Sequence, residues 1–443
     1  MSRTTQIFCA STPHGAVTLA AAAESGCLAR AERRVLLVLN AATIPEATPS
    51  LDGMPGFAAL RDRFDELLSW NEVISPLHPA SWTPRPDDIP LLERHLRLLW
   101  GLGDDRVELV VESLQDGPAL TVTRLFTGAP VHACAEGLTG YGPTPDRLDP
   151  LVGTRVRQLL HLDLVPGLRP MLLSEFDVPA RAVPASAFLK VVKELSGAAG
   201  EVPAPPDGAA LLLDPCPSAP GLLSPEEEEE LRMRMLRGAV ARGHRTVVLA
   251  PHPTAPVPCG RALEAEAGRL GADLVVPDPP VLAEVLFERA RPALVVGCCS
   301  TALFTASVFY GLPVARTGTG ELLGRLRPHQ EGNRVPAVLS DAVLPPLEAG
   351  EEGAALDADA LNDLVTALGF TLRPRLHPSL RPAAERYLAQ HSGPHVQRYF
   401  PRGRLTSLGL PGGVPKQLAS LSRHPAARRM ARRARALRKA VRG

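Results

Sequence analysis

Short apolar runs alternate with amphipathic stretches through most of this chain, and no other feature restricts its fold as strongly. A buried parallel strand reads as a near-continuous apolar run, and the path back to the next parallel strand usually carries a helix. Strands are expected over residues 6–10, 34–40, 72–75, 107–112, 131–135 and 169–173, and helices over 14–26, 90–100, 118–126 and 151–160. This order calls for a parallel sheet with helices on both faces.

Residues 197–208, GAAGEVPAPPDG, interrupt the alternation with linker composition. The pattern then restarts, with strands expected over 209–213, 246–250, 273–276, 293–297 and 313–315 and helices over 259–270, 280–288 and 300–310. Ser224-Pro225-Glu226-Glu227 is a compact helix start: serine as N-cap, proline at the first helical position and glutamate at the capping-box position. At 443 residues the chain exceeds what one core normally organises. The division expected is a Rossmann-like domain over 1–185, a linker over 186–208, a second Rossmann-like domain over 209–372 and a basic tail over 373–443. Two such α/β domains leave a cleft between the carboxyl ends of two sheets. That is the GT-B glycosyltransferase architecture in outline, and other two-domain α/β enzymes share the pattern.

Composition narrows the class further. Hydrophobic residues make up 45% and charged residues 21%, which excludes a disordered or fibrous chain. Seven cysteines are odd in number, scattered and without a C-x-x-C pair, which reads as reduced core thiols in a cytoplasmic protein with no zinc site. The apolar run near the N-terminus is too short for a signal-peptide core, and the alanine-rich helix after it carries Glu24 and falls short of the ~20 apolar residues of a membrane span. From Arg386 onward there are 14 Lys or Arg and no Asp or Glu, which leaves residues 1–385 with 34 basic and 47 acidic side chains. The tail is therefore a separate electrostatic object.

Three places could carry chemistry. In APHPTAP, residues 250–256, His252 sits between Pro251 and Pro253 directly after a strand. Neither proline can continue the ladder, so the imidazole is held at a strand's carboxyl end, where open α/β sheets bind ligands. His-Pro recurs at His78, His377 and His424, but only His252 follows a convincing core strand. In Gly297-Cys298-Cys299-Ser300-Thr301 a strand ends in small residues and two hydroxyls open an apolar helix, a suitable place for an anion. An acid and a phosphate cradle on one sheet edge suggest a nucleotide leaving group. A carboxylate from the other domain should face them, and Asp116-Gly117 and Glu136-Gly137 compete for that role. Asp116-Gly117 reads as a turn, whereas Glu136 ends an apolar run and meets three glycines that permit close backbone approach, so Glu136 is preferred. Glu112, at the end of the preceding strand, reads as a supporting residue.

With these sites in order, the chain resembles the bacterial sialyltransferases and polysialyltransferases that share an acidic-acidic-glycine motif, a His-Pro motif and a Ser-Ser/Thr motif. Ala135-Glu136-Gly137 matches the first at its second and third positions, His252-Pro253 the second and Ser300-Thr301 the third. Tyr141-Gly142-Pro143-Thr144 and the stretch LDLVPGL at 162–168 look like the polysialyltransferase branch, and the similarity spans about residues 5–320. The resemblance implies a GT-B fold, a CMP-sialic acid donor, inversion at the anomeric centre and no metal or other cofactor. It implies Glu136 as general base, His252 as general acid, and Pro253, Ser300 and Thr301 on the donor side, with Gly137, Tyr141 and Glu112 in support. Ala135 departs from the family pattern, which puts acceptor choice or turnover in question. Asp357-Ala358-Asp359 would pass as a D-x-D metal motif but lies at a polar helix start outside the repeated pattern, and reads as a cap.

Ala427, Met430, Ala434, Leu437 and Val441 form a 3-4-3-4 apolar seam among arginines. This pattern over 423–443 reads as attachment to an anionic membrane surface, consistent with a cytoplasmic, membrane-peripheral protein. Nucleic acid is not expected as a partner, because the body is net acidic and the tail lacks interleaved aromatics. The expected partners are a CMP-sugar donor and a glycan acceptor. A transferase for another nucleotide sugar, and a homologue that binds CMP-sugar or glycan without turnover, are the alternatives.

Overall fold

A computed structural model describes residues 3–115, 117–200, 206, 208–214, 222–251, 261–327, 329, 331–348, 356–391 and 393–414. Its first sheet has seven strands: β1 (Thr4–Ala10), β2 (Arg33–Val38), β3 (Glu66–Ser69), β4 (Arg106–Val111), β5 (Val131–Cys134), β6 (Val156–Leu162) and β7 (Ala180–Val183). They lie in the order β3-β2-β1-β4-β5-β6-β7, and every neighbouring pair is parallel. The second sheet has β8 (Ala210–Leu213), β9 (Thr246–Ala250), β10 (Asp273–Val275), β11 (Leu294–Gly297) and β12 (Val314–Arg316). Its order is β10-β9-β8-β11-β12, again parallel. Each sheet reverses direction of growth at its first strand, and that reversal opens a crevice at the carboxyl edge. The expected fold class, two Rossmann-like α/β units in GT-B fashion, is the one observed.

The helix Ala185–Ala198 carries the chain between the sheets. It packs on Pro13–Glu24 of the first unit and on Ala283–Ala290 of the second. Arg289 of the latter donates to the Gly200 carbonyl at 3.0 Å. Phe188, Val191, Val192 and Leu195, spaced on one face, are fully buried, and one apolar cluster runs from the first sheet through this helix into the second. The helix Ala358–Leu372 crosses back: Asn362 donates to the Gly167 carbonyl at 2.9 Å and accepts from the Arg169 N–H at 3.3 Å.

Four expectations need correction. Residues 72–75 are not a strand; Trp70–Ile74 is a short helix capped by Ser69, and the strand is Glu66–Ser69 before it. Residues 151–160 are not a helix: Pro150–Gly153 makes one turn, and β6 follows from Val156. The run is too short for periodicity to separate a buried strand from a helix. Residues 169–173 form a loop, in which the Met171 and Leu172 N–H groups both reach the Gly140 carbonyl. The strand that completes the sheet is β7, exposed over Ala180, Arg181 and Ala182 and so without an apolar signature. The helix expected over 300–310 is α-helical only at Thr301–Phe304 and continues as a π-helical turn, Thr305–Phe309.

The capping box at Ser224 and Glu227 is present, with Ser224 N–H on Glu227 at 2.9 Å and Glu227 N–H on Ser224 at 3.3 Å. Asp357 caps its helix by accepting from the Ala360 N–H at 2.8 Å. Cys9, Cys27, Cys134, Cys298 and Cys299 are free thiols, while Cys216 and Cys259 lie outside the described residues. The first part of the basic tail is packed rather than loose. Tyr399 donates to buried Asp341 at 2.9 Å, and Arg398 reaches the same carboxylate at 3.1 Å. The seam at 427–441 lies outside the described residues, as does Asp116.

Candidate active site

The site is built where strands run out at the carboxyl edge of each sheet. Beyond β4, Glu112 is 2% exposed and turns toward the end of β1. It accepts from the Ser11 and Thr12 N–H groups at 2.5 and 3.0 Å and from both of their hydroxyls. Burial pushes its carboxyl above the usual range, against the pull of these hydrogen bonds. A Cβ on Gly15 would lie 2.0 Å from its carboxyl carbon, so the glycine makes room for it. Glu112 therefore braces the start of the helix Pro13–Glu24.

Beyond β5 the chain passes Ala135 and reaches Glu136, which precedes the 3-10 turn Gly137–Tyr141. Ala135 is 7% exposed within the apolar cluster behind the sheet. An acidic side chain there would be buried among hydrocarbons, a physical reason for the departure from the family motif. Glu136 is partly exposed and lines a cavity of about 70 Å³. Its carbonyl accepts from the Thr139 N–H at 3.2 Å and the Thr139 hydroxyl at 2.6 Å, which fixes the turn. Gly137 has φ +52°, and a Cβ on it would lie 2.1 Å from Thr301 Oγ1. The glycine after the acid thus packs directly on the second hydroxyl of the Ser-Thr pair in the other domain. Tyr141 is buried and accepts from the Leu164 and Val165 N–H groups, each at 3.1 Å, tying the turn to the segment after β6. Burial pushes its phenol up to about 12.

In the second domain β9 delivers Ala250 to the carboxyl edge, beside Leu213 of β8. Pro251 is the last described residue there, and His252 and Pro253 lie outside the described residues. On the far side of β8, β11 ends at Gly297. Ser300 then caps the helix Thr301–Phe304 by accepting from the Ala302 N–H at 3.2 Å. A hydrogen bond between the adjacent thiols, with burial, holds Cys298 well above the usual range, and the same bond draws Cys299 below it.

Two features were not legible in the sequence. A cavity of about 260 Å³ at the carboxyl edge of the second sheet is lined by Cys298, Gly318, Glu321 and Arg325. Arg325 pairs with Glu227, and Arg234 bridges Glu321 at 2.7 Å and Glu348 at 2.8 Å. The second feature joins the domains: His14 Nδ1 lies 3.6 Å from Glu284 Oε1, which also accepts from Thr305 at 2.8 Å. Nothing local marks either feature: the cavity's lining comes from separate segments, and His14 and Glu284 are 270 positions apart. Among the described residues, no group of three or more His, Cys, Asp or Glu could hold a metal ion.

No curated protein matches the chain. Solved structures similar to it include UGT2 from Phytolacca americana, in complex with UDP-2-fluoro-glucose and pterostilbene, at 14% identity over 87% of this chain and 95% of that one, with a TM-score of 0.42. The UDP-GlcNAc 2-epimerase from Neisseria meningitidis is similar at 11% identity, 86% and 93% coverage and a TM-score of 0.44. The GT-B domain of a sialyltransferase from Photobacterium damselae is similar at 11%, 75% and 95%, with a TM-score of 0.35. Residues 6–319 match the family model described as alpha-2,8-polysialyltransferase (POLYST). The chain, with its two parallel sheets and the acidic and hydroxyl motifs brought together between them, belongs to the alpha-2,8-polysialyltransferase family of glycosyltransferases.

Proposed function

We propose that this protein transfers sialic acid, or a related nonulosonic acid, from its CMP donor to a glycan with inversion at the anomeric carbon. The observation that carries this is the contact of Gly137 with Thr301, which sets the residue after Glu136 against the hydroxyl pair of the opposite domain. Residues 1–185 then form the acceptor side and 209–372 the donor side. Glu136 takes the proton from an acceptor hydroxyl as that oxygen attacks the anomeric carbon. The bond from that carbon to the phosphate oxygen breaks on the opposite face. His252 gives a proton to the departing CMP, while the hydroxyls of Ser300 and Thr301 donate to the phosphate, with Pro253 fixing the loop. Donors aimed at developing charge lower the barrier most in a water-poor cleft. Glu112, Gly137 and Tyr141 hold the strand ends in place, and no metal or other cofactor takes part. Residues 423–443 attach the protein to an anionic membrane surface.

The test is CMP release from CMP-sialic acid in EDTA, with and without a panel of glycans. Glu136→Gln should lower transfer about 10²–10⁴-fold, as loss of a general base does. His252→Ala should lower it to a similar extent. Binding of CMP without turnover by the unaltered protein would leave a non-catalytic binder, and absence of both would point to another nucleotide sugar.

A further inference from the structure

The cavity beside Glu136 has a composition that the transfer reaction alone does not explain. Leu114, Leu148, Leu172 and Leu173 form its apolar side, each more than nine-tenths buried, with partly exposed Leu120, while Glu136, Asp146 and Arg147 also line it. Two buried hydroxyls interrupt this lining, Ser113 at 7% exposure and Thr144 at 3%. Ser113 Oγ accepts from the Gln115 N–H at 3.1 Å, and Thr144 Oγ1 accepts from the Leu173 N–H at 3.0 Å. Each hydroxyl has given a lone pair to the backbone, and among the described residues neither O–H hydrogen has an acceptor. Leu173 itself holds φ +62°, a left-handed conformation that costs a bulky residue energy and is kept where a site needs it.

We propose that this cavity receives the N-acyl arm of the acceptor sugar, with its methyl against the leucines and its carbonyl oxygen on Ser113 and Thr144. The assignment rests on Glu136 being the base for that acceptor. Volume excludes a whole sugar ring, since an apolar cavity of ~150 Å³ takes a single benzene. An acetamido group has both parts in the right order, an apolar end and an acceptor oxygen. The methyl of a 6-deoxy sugar would satisfy the leucines but not the hydroxyls.

The experiment uses the full chain, CMP-sialic acid and pairs of glycosides that differ in one substituent. One pair carries an N-acetyl group or a free amine at the same carbon, and the other is 6-deoxy or 6-hydroxy. Transfer kcat/KM should favour the N-acetyl member by about tenfold or more, the scale on which a pocket discriminates one small apolar group. Without donor, saturation-transfer NMR should show the acetamido methyl as the most strongly saturated ligand proton. Leu120→Phe, checked for an unchanged thermal transition, should erase the preference, and Ser113→Ala should narrow the ratio between N-acetyl and amine members. Equal kcat/KM within the N-acetyl pair, or saturation confined to ring protons, overturns the proposal. A preference for the 6-deoxy member alone overturns the acyl assignment. Should Glu136→Gln retain full transfer, the base assignment fails, while the methyl contact is still read independently by NMR.

Discussion

Gly137 decides the site at the scale of one residue. Its backbone is left-handed and its α-carbon faces Thr301, so any side chain meets both strain and overlap. Gly137→Ala is expected to destabilise the protein by about 1–3 kcal/mol and to lower transfer together with stability, measured by urea unfolding and by CMP release. The acid before it and the hydroxyls opposite were legible in the sequence because they end apolar runs, and a strand's end is marked by where such a run stops. Ala135 was legible only as a departure. Its reason needed the packing, which puts that position among hydrocarbons behind the sheet.

Among elements, the helix Ala283–Ala290 meets the helix Pro13–Glu24 through a single buried carboxylate. Burial works to raise the Glu284 carboxyl, but His14 and Thr305 outweigh it and hold the group below the usual glutamate range. A depressed carboxyl contributes stability that is present above its unfolded value and is lost as pH falls through its folded value. Thermal stability should therefore drop on acidification below the usual glutamate range, and Glu284→Gln should flatten that drop while costing about 1–3 kcal/mol near neutrality. A series of melting curves against pH measures both. In the first sheet β1, β2, β4 and β5 were readable from their apolar runs, whereas β3 and β6 were misplaced and β7 went unread, since an exposed edge strand is under no pressure to be apolar. The stretch at 169–173 misled for the converse reason: Leu172 and Leu173 are apolar because they line a cavity, not because they join the sheet.

Across the whole molecule, charge and architecture divide the chain at different places. The described helices through Arg402–Leu408 pack onto the second domain and carry Tyr399 and Arg398 to Asp341, so a chain ending at Val414 should keep the thermal transition of the full protein. The full chain should sediment with vesicles containing phosphatidylserine and be released by salt, because surface attraction is screened within a Debye length of ~10 Å at 0.1 M. The shortened chain should remain in the supernatant. Among the described residues, no helix is long and apolar enough to cross a membrane. The sequence by itself determined the two α/β units, their parallel sheets and the capping box at Ser224, because buried strands and helix starts write their requirements into adjacent residues. Only the tertiary structure decided that Gly137 meets Thr301, that His14 meets Glu284, and that two hydroxyls and several leucines from separate loops enclose one cavity. These contacts join residues far apart in the chain, and no local pattern encodes a distance in space.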